Sequence, residues 1–540
     1  MILACHDIDF AVPARYRRRA CARLDRFALG VTAMLFGLGH SWSRFPGPAV
    51  LAGVVTAFCS TSLLVAGPEP LAIGDRNQVV IDGRYLEASK GVRIVVCQPT
   101  KTNEKCLVGR LGGYSSLVVP HKGFRWYSAL TKDGRHWRRV SGFRAPEPDD
   151  ILGVLFSGAT VFADPKAPPS ERYKMFDGMR NRISASSDGS DWKVWRKGVF
   201  PQAACYPRGM DSHNVCFYDT RLEKYTAYVR VNKAYTCPPE REGYFGRAGQ
   251  ARWGGKNRYG RRTIGRSVTD DLSKFPMPEV VLAPDEKDPI FGGVKVMDFY
   301  CPQVVQYAHA QDAYFLFNCR YRSFEDWYLS EDMSKYPRST SGIYNCGVED
   351  IALAASRNGV AWERYDRRPW IPLGTKGSFD SKTMYMTRGM YVQGDEIWMY
   401  YIGLDDPHTG SKEAQQRCTF SRVVLRKDGF TCVEADYAGG EFTTPVLTFK
   451  GQALRLNVET SALGLLRVEI QDGSGEPIPG YALADCDRIH AANSTRWVVA
   501  WRGKSDVSSL SGRPIRLRFE MQHGAKLYAF RFWNGNGRKG

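Results

Sequence analysis

Two aspartates occupy matching positions in consecutive segments of the chain. Asp211 lies in "GMDSHN" and Asp298 in "VMDFY", each directly after a methionine and at the start of a predicted strand. A third acid, Glu349 in "CGVEDIAL", begins another predicted strand. Two carboxyl groups held close together suit acid–base chemistry, in which one donates a proton and the other acts as base or nucleophile. Asp211, Asp298 and Glu349 are therefore the candidate catalytic residues, and cleavage of a glycosidic bond is a reaction that uses such a pair.

Arginines and further acids stand at strand ends that we expect to share one face with these three acids. An arginine beside a carboxylate keeps that carboxylate ionised and binds an anionic or hydroxyl-rich sugar. The predicted substrate-binding residues are Asp177, Arg230, Arg320, Arg322, Asp350 and Arg388. Each has a structural alternative, because strand-end aspartates also bond backbone groups and arginines pair with surface acids. A register slip of one residue would turn any of them to the other face.

A repeated group of strands positions these residues. Each copy reads as an apolar strand, an aromatic-rich strand and a third strand that ends in a tight turn and an aromatic residue. The five copies span residues 114–137, 158–192, 210–275, 297–362 and 385–435. Strands separated by Gly, Asp and Pro turns at this spacing are typical of propeller blades. The sequence therefore predicts an all-β chain with a five-bladed β-propeller over residues 81–436.

The turns and the aromatic residues of the copies have a structural reading. The dipeptides Asp133-Gly134, Asp188-Gly189, Asn358-Gly359 and Asp428-Gly429 are expected to supply the positive φ angles of tight hairpins. Four aromatic residues follow the third strands and are expected to fill the gaps between blades: Trp137, Trp192, Phe275 and Trp362. The repeated phrases thus build scaffold, and the chemistry is left to the strand ends.

Five copies with these motifs resemble the five-bladed glycosidase propellers, the superfamily of arabinanases, levansucrases and invertases. The resemblance spans residues 81–436 through "FADPKAPPSERYKMF", "SHNVCFYD", "DFYCPQVVQY", "SRNGVAWER" and "GDEIWMYY". It implies a glycoside hydrolase with paired carboxyl groups at the central cleft. The turn-and-Trp phrase is also similar to the Asp boxes of sialidases, "SxDxGxxW", although Asp and Gly are adjacent in this chain.

One position departs from the pattern that the resemblance implies. Enzymes of that superfamily usually carry a carboxylate on the inner strand of the first blade, whereas that strand here reads "GGYSSLVVP". Either the blade count is rotated, or the catalytic set is rearranged, or catalysis has been lost. A non-catalytic carbohydrate-binding propeller at the cell envelope is therefore the alternative to a hydrolase, and a propeller scaffold for protein partners is a third reading.

The pattern of apolar and polar residues changes after the fifth copy. Residues 441–534 alternate apolar and polar positions, with Gly, Asp or Pro turns every eight to twelve residues. This spacing is typical of a β-sandwich. We predict a separate C-terminal sandwich that packs against the propeller.

The N-terminal 72 residues predict export. An arginine-rich flank, "PARYRRRACARLDR", precedes an uncharged segment of nineteen residues, 49–67. That length is about enough to cross a bilayer and also suits the core of a signal peptide. Either reading places the rest of the chain in the periplasm or outside the cell. A cleaved signal peptide would release it, and a membrane-spanning segment would anchor it to the membrane.

Charge and cysteine content exclude other classes of protein. The formal net charge is +19, partly in the N-terminal flank, and no nucleic-acid motif accompanies it. The 14 cysteines show no CxxC or zinc-finger spacing, so no metal site is predicted. The expected partner is a saccharide, with no cofactor and no nucleic acid.

Overall fold

The computed structural model describes residues 69–205, 210–236, 239, 258–291, 294–323, 347–408, 413 and 416–535. These residues form strands and a few short 3-10 turns, at Gly83–Tyr85, Pro169–Glu171, Gln202–Cys205 and Ser508–Leu510. The predicted export segment, 49–67, lies outside the described residues. Within the described part of the chain, no helix has the length and apolar character needed to span a bilayer.

The first six strands lead into the repeats. They are β1 (Leu71–Gly74), β2 (Gln78–Val79), β3 (Ala88–Lys90), β4 (Val92–Val96), β5 (Thr100–Lys101) and β6 (Leu107–Gly109). All six pair with strands from the C-terminal part of the chain rather than with one another. The N-terminal strands therefore complete sheets whose other strands come from later in the chain.

The first three copies each form a four-stranded antiparallel sheet, rather than the three strands predicted, because a further strand beyond the predicted bounds joins each one. The first contains β7 (Ser116–Val118), β8 (Ala129–Thr131), β9 (Trp137–Arg139) and β10 (Leu152–Leu155), in the order β7-β10-β8-β9. The second contains β11 (Thr160–Ala163), β12 (Tyr173–Asp177), β13 (Arg182–Ser186) and β14 (Lys193–Lys197) in sequential order. The third contains β15 (Val215–Asp219), β16 (Lys224–Thr236), β17 (Arg258–Thr269) and β18 (Glu279–Leu282), also in sequential order.

The fourth and fifth copies share one nine-stranded sheet. After a short hairpin of β19 (Ile290–Phe291) and β20 (Val294–Lys295), the fourth copy supplies β21 (Asp298–Gln306), β22 (Tyr314–Ser323) and β23 (Gly347–Ser356). The fifth supplies β24 (Thr383–Met386), β25 (Tyr391–Gln393), β26 (Glu396–Leu404) and β27 (Cys418–Arg426). A single parallel pairing, Glu349 with Thr383, joins the two copies. Both β5 and β6 then pair with β27.

These sheets form a β-propeller, but the predicted count of five separate blades is not confirmed. The described repeats form four hydrogen-bonded sheets. The physical reason is the contact at Glu349 and Thr383, where β23 and β24 approach closely enough to exchange backbone hydrogen bonds. Pairing of the N-terminal β5 and β6 with β27 adds early strands to the last repeat.

Aromatic residues fill the spaces between sheets, as the sequence predicted. Trp137 of the first copy packs edge-on against Tyr400 and Phe420 of the fifth, at 5.3 and 5.2 Å between ring centroids. The other three each contact a ring that precedes their own copy: Trp192 with Trp126, Phe275 with Phe200, and Trp362 with Tyr228. The contact of first copy with fifth closes the ring of repeats.

Three of the four turn glycines have the predicted positive φ angle, and in the fourth turn the aspartate has it instead. Gly134, Gly189 and Gly359 have φ between +71° and +80°. In the fourth turn Asp428, rather than the glycine after it, takes the positive φ of +61°. The Asp428 carboxylate accepts a hydrogen bond from the buried Tyr307 hydroxyl at 2.6 Å.

The remaining strands build two further sheets around one core. They are β28 (Thr431–Ala435), β29 (Gly440–Thr443), β30 (Leu447–Phe449), β31 (Ala453–Glu459), β32 (Leu465–Asp472), β33 (Ile489–His490), β34 (Asn493–Val498), β35 (Ile515–Gln522) and β36 (Lys526–Trp533). The seven-stranded sheet includes β1 and β3, and the six-stranded sheet includes β2 and β4. Phe519 of one sheet and Phe530 of the other lie 6.2 Å apart in the shared core. The core of these sheets therefore depends on strands from both ends of the described chain.

Candidate functional site

Three neighbouring strands of the nine-stranded sheet bring Asp298 and Glu349 to the same face. Asp298 on β21 is paired with Tyr321 on β22, which is paired with Glu349 on β23. Directly paired residues of antiparallel strands point to the same side of the sheet. Since neighbouring strands lie about 4.8 Å apart, the backbones at the two acids are about 10 Å apart across the sheet. The register therefore sets two carboxyl groups on either side of one tyrosine.

Arg262 enters this row from the neighbouring sheet. Its Nη1 donates to Asp298 Oδ2 at 2.9 Å, and its backbone N–H donates to Oδ1 at 3.0 Å. Its guanidinium lies 4.8 Å from the ring centroid of Tyr321 and 5.1 Å from that of Tyr300. Burial disfavours the charge, but the adjacent Asp298 carboxylate holds the pKa of Arg262 above its ordinary value. A fixed positive charge thus covers the tyrosine between the two acids.

Arg230 links this row to Asp211. Its Nη1 donates to the backbone carbonyl of Asp211 at 2.8 Å and lies 3.8 Å from that residue's Oδ2. Burial, and then the positive charge of Arg262, lower the pKa of Arg230 from its ordinary value. The Arg230 side chain is 7% exposed, whereas the Asp211 side chain is 47% exposed. Asp211 is therefore the solvent-facing acid of the group.

Glu349 is fully buried beside His408. His408 Nδ1 lies 2.9 Å from Glu349 Oε1, and the same nitrogen is 2.6 Å from the hydroxyl of Tyr385. The hydrogen-bonding geometry favours the tyrosine, and neither carboxyl oxygen of Glu349 has a hydrogen-bond partner among the described residues. The backbone N–H of Glu349 donates to the carbonyl of Lys382 at 3.0 Å. The Glu349 carboxyl group is thus held in place by the strand register, without being saturated by bonds.

Tyrosines and histidines from the first strands of several copies converge around these acids. The hydroxyls of Tyr114 and Tyr300 lie 2.5 Å apart. The Tyr114 ring also lies 6.0 Å from that of Tyr385 and 5.6 Å from that of His213. Burial raises the pKa of Tyr114, Tyr300 and Tyr385, so these hydroxyls stay neutral hydrogen-bonding groups. The first strands therefore place an aromatic, hydroxyl-bearing surface at the centre of the repeats.

His213 and Arg388 lie together on the other side of Tyr114. Gln303 Nε2 and His213 Nδ1 are 2.8 Å apart, and burial, with the nearby Arg388, lowers the pKa of His213 to about 3. Burial likewise lowers the pKa of Arg388 to about 10. The Arg388 guanidinium lies 5.7 Å from the ring centroid of Phe217. His213 is thus a neutral group throughout the physiological range.

Four predicted binding residues lie away from the acids of the candidate site. Arg320 and Asp350 are paired on the face of β22 and β23 opposite to Asp298 and Glu349, and they form a bidentate ion pair at 2.6 and 2.7 Å. Arg322 shares that face with Arg320, because side chains two apart on a strand lie on one side. Asp177 accepts bonds from the backbone N–H and Nη1 of Arg180, three residues later, in its own turn. The structure therefore groups Asp298, Glu349, Asp211 and Arg230, and separates them from Arg320, Arg322, Asp350 and Asp177.

Sequence reasoning missed Arg262, His408, His213 and the three tyrosines. The tyrosines carried a signal, because Tyr114, Tyr300 and Tyr385 each stand within the first strand of a copy or just before it. Arg262 lies within "RYGRRTIGR", where the alternation of β17 selects which arginine faces inward, and only the pairing with the next sheet decides that face. His408 follows β26 in a loop, where no alternation of apolar and polar residues marks it.

Comparisons with known proteins found several solved structures that are similar to part of this chain. No family model matches the chain, and no curated protein matches it. Among solved structures, an N-acetylgalactosamine deacetylase from F. plautii, in complex with blood group B trisaccharide, is 14% identical, with a TM-score of 0.33. The similarity covers 67% of this chain and 96% of that one.

Two further solved structures are also similar to part of this chain. A family 43 arabinoxylan arabinofuranohydrolase from Bacillus subtilis is 11% identical over 69% of this chain and 78% of its own, with a TM-score of 0.25. A family 93 α-L-arabinofuranosidase of Fusarium graminearum is 13% identical over 62% of this chain and 99% of its own, with a TM-score of 0.25. All three TM-scores are below 0.5.

Proposed function

We propose that this protein is a glycoside hydrolase that cleaves a saccharide at the centre of the propeller. The observation that carries the proposal is the row Asp298–Tyr321–Glu349, with Arg262 bonded to one acid and none of the described residues hydrogen-bonded to the other. Two carboxyl groups in unlike surroundings are what acid–base cleavage of an acetal requires.

The surroundings of the two acids assign their roles. Asp298 accepts hydrogen bonds from Arg262 through both oxygens, so it is the carboxylate that acts as base. The carboxyl oxygens of Glu349 accept no hydrogen bond from the described residues, although His408 Nδ1 lies 2.9 Å from Oε1, and we assign Glu349 as the acid that protonates the leaving oxygen. The nearby hydroxyls of Tyr114 and Tyr300 bind sugar hydroxyls, and Asp211 with Arg230 contacts the part of the substrate nearest to solvent.

The separation of the acids favours inversion of configuration. Inverting enzymes hold their carboxyl groups about 6.5–9.5 Å apart, whereas retaining enzymes hold them about 5–5.5 Å apart. With β22 between their strands, the backbones at Asp298 and Glu349 are about 10 Å apart across the sheet. This spacing suits the wider carboxyl separation of inverting enzymes.

A glycan panel tests this proposal directly. The full chain is incubated with arabinans, galactans, xylans, mannans and pectic oligosaccharides, and products are identified by mass spectrometry. Proton NMR of the first product then gives the anomeric configuration. Release of a sugar of inverted configuration by the wild type, and its loss in Asp298→Asn, supports the proposal. A complete absence of turnover on glycans that bind the protein overturns it.

The second candidate is a non-catalytic carbohydrate-binding propeller, and two observations favour it. The Glu349 side chain is 0% exposed, and the inner strand of the first copy carries Tyr114 and serines where a carboxylate would be expected. A binding module would hold a glycan on the converging tyrosines without cleaving it. In that case Asp298→Asn would change affinity without any product being formed by either protein.

The proposal also places the chain outside the cytoplasm, on the basis of the uncharged segment 49–67 and its basic flank. A phosphatase reporter that is active only after export, fused to the C-terminus of the full chain, should be active. Removal of residues 49–67 should silence it. Equal activity of both fusions would contradict the export signal.

A further inference from the structure

A polar cavity, lined by none of the residues of the candidate active site, lies where outer loops of the propeller meet the six-stranded sheet. Its volume is about 530 Å³, within the ~300–1,000 Å³ of small-molecule sites. The propeller contributes the turns at Asp395 and Lys427 and the loop around His309. The six-stranded sheet contributes side chains from β31, β34 and β36.

Three arginines from adjacent strands line this cavity. Arg455 on β31 and Arg531 on β36 are directly paired across the sheet, so both side chains project from the same face. Arg496 on β34 lies diagonally beside Arg455, whose direct partner on that strand is Val498. Like charges placed directly opposite each other destabilise a sheet. Burial, and then the charges of Arg531 and Arg496, lower the pKa of Arg455 from its ordinary value.

The acids around the cavity leave this charge largely uncompensated. Asp395 pairs with Arg496 at 3.1 Å, but Arg531 donates to the backbone carbonyl of Asp75 rather than to a carboxylate. Asp428 is buried, and burial raises its pKa. The Arg455 guanidinium lies 3.3 Å from the ring centroid of Trp533, and its buried Nε has no hydrogen-bond partner among the described residues. An oxyanion between Arg455 and Arg531 would relieve their repulsion.

We propose that this cavity is a second ligand site, which binds the carboxylate or sulfate group of an acidic oligosaccharide between Arg455 and Arg531. The cavity's mixture of arginines with amide groups, as at Asn77 and Asn457, suits an anion carried on a hydroxyl-rich body. That the anion is carried by a saccharide rests on the proposed function. The oxyanion site itself rests on the cavity and the arginines alone.

Isothermal titration calorimetry on the full chain tests the site. The probes are trigalacturonic acid, a sulfated heparin tetrasaccharide, neutral maltotetraose and inorganic sulfate. The Arg455→Gln/Arg531→Gln double variant should bind the acidic oligosaccharides at least about tenfold more weakly, since charge-assisted bonds are lost. Its affinity for maltotetraose should not change. Arg513→Gln, which removes an exposed arginine outside the cavity, should match the wild type.

Thermal unfolding separates binding from a structural role. Because the two arginines repel each other, the double variant should melt at the same temperature as the wild type or higher. Equal affinity of wild type and double variant for both acidic oligosaccharides would overturn the site. Inorganic sulfate binding as tightly as the oligosaccharides would overturn the saccharide part. Titrations repeated in Glu349→Gln keep the two proposals distinct, because a chain that turns over no glycan can still show the tenfold difference.

Discussion

The two faces of β22 and β23 carry similar residue types and very different surroundings. On one face Arg320 and Asp350 satisfy each other through two short hydrogen bonds. On the other, Tyr321 separates Asp298 from Glu349, and the Glu349 carboxyl group has no hydrogen bond from any described residue. The two faces differ by one step along each strand. Asp298 is also hydrogen-bonded, to Arg262, so the candidate catalytic pair differs from the structural pair in the Glu349 carboxyl group, which accepts no hydrogen bond from the described residues.

The same contrast holds for the arginines. Arg320 is engaged by Asp350 and by the carbonyl of Arg367. Arg262 binds Asp298 and also lies over the rings of Tyr300 and Tyr321, at the point where a substrate would meet both acids. An arginine that holds an acid beside aromatic surface is positioned to act on a ligand. An arginine that closes a bidentate pair is positioned to stabilise strands.

Loss of the Asp298 carboxylate should have the largest effect. Asp298→Asn should lower kcat/KM at least about 10³-fold, because the amide cannot accept the proton of the attacking water. Steady-state kinetics on the glycan identified by the panel measure it. Circular dichroism should show an intact fold, since the amide oxygen can still accept a hydrogen bond from Arg262.

Asp350→Asn is the matched control on the other face. It should leave kcat/KM within about threefold of wild type and lower the free energy of unfolding by about 2 kcal/mol, less than a fully buried pair would lose. The side chains of this pair are 16% and 19% exposed, which is the reason for the smaller loss. Equal losses of activity in the two variants would remove the distinction between the faces.

Glu349→Gln should have the next largest effect, and one that depends on the leaving group. Without a proton donor, turnover of natural glycosides should fall about 10²–10³-fold. An aryl glycoside with an acidic phenol needs no protonation, so its turnover should fall less than tenfold. Parallel assays of the two substrate types measure the difference. A similar loss on both would mean that Glu349 does not act as the acid.

The buried His213 should make stability depend on pH. Its pKa is about 3 in the folded chain and about 6.5 when unfolded, so between these values only the unfolded chain binds the proton. Stability should therefore fall as pH decreases below about 6.5, by up to ~1.4 kcal/mol per pH unit. Denaturant unfolding of the wild type and His213→Gln at pH 7 and 5 measures this contribution. Equal losses of stability in the wild type and His213→Gln between pH 7 and pH 5 would contradict this contribution.

Removal of the Tyr114 hydroxyl should have the smallest effect. Tyr114→Phe breaks the 2.5 Å contact with Tyr300 and leaves a buried hydroxyl with one partner fewer. We expect the free energy of substrate binding to weaken by about 1 kcal/mol, which would appear as a two- to tenfold increase in KM with kcat retained. Tyr391→Phe, on β25 of the fifth copy, is the control, and its kinetics should match the wild type. A fall in kcat of more than 10²-fold for Tyr114→Phe would give this hydroxyl a direct part in the reaction.

Much of the scaffold could be predicted because its signals are local. The glycines of the Asp133, Asp188 and Asn358 turns have the positive φ that their dipeptides indicate. Trp137, Trp192, Phe275 and Trp362 pack between neighbouring copies. The count of separate blades was not a local property, because the pairing of Glu349 with Thr383 merges the last two copies into one sheet.

The sequence by itself indicated the all-β character of the chain, its tight turns and the aromatic residues that pack between the repeats. A period of two residues and a turn dipeptide are set by neighbours along the chain. Only the tertiary structure decided that Glu349 rather than Asp350 shares a face with Asp298, and that Arg262 reaches them from another sheet. Register and sheet contacts depend on residues far apart in sequence, and a shift of one residue would have exchanged the two faces.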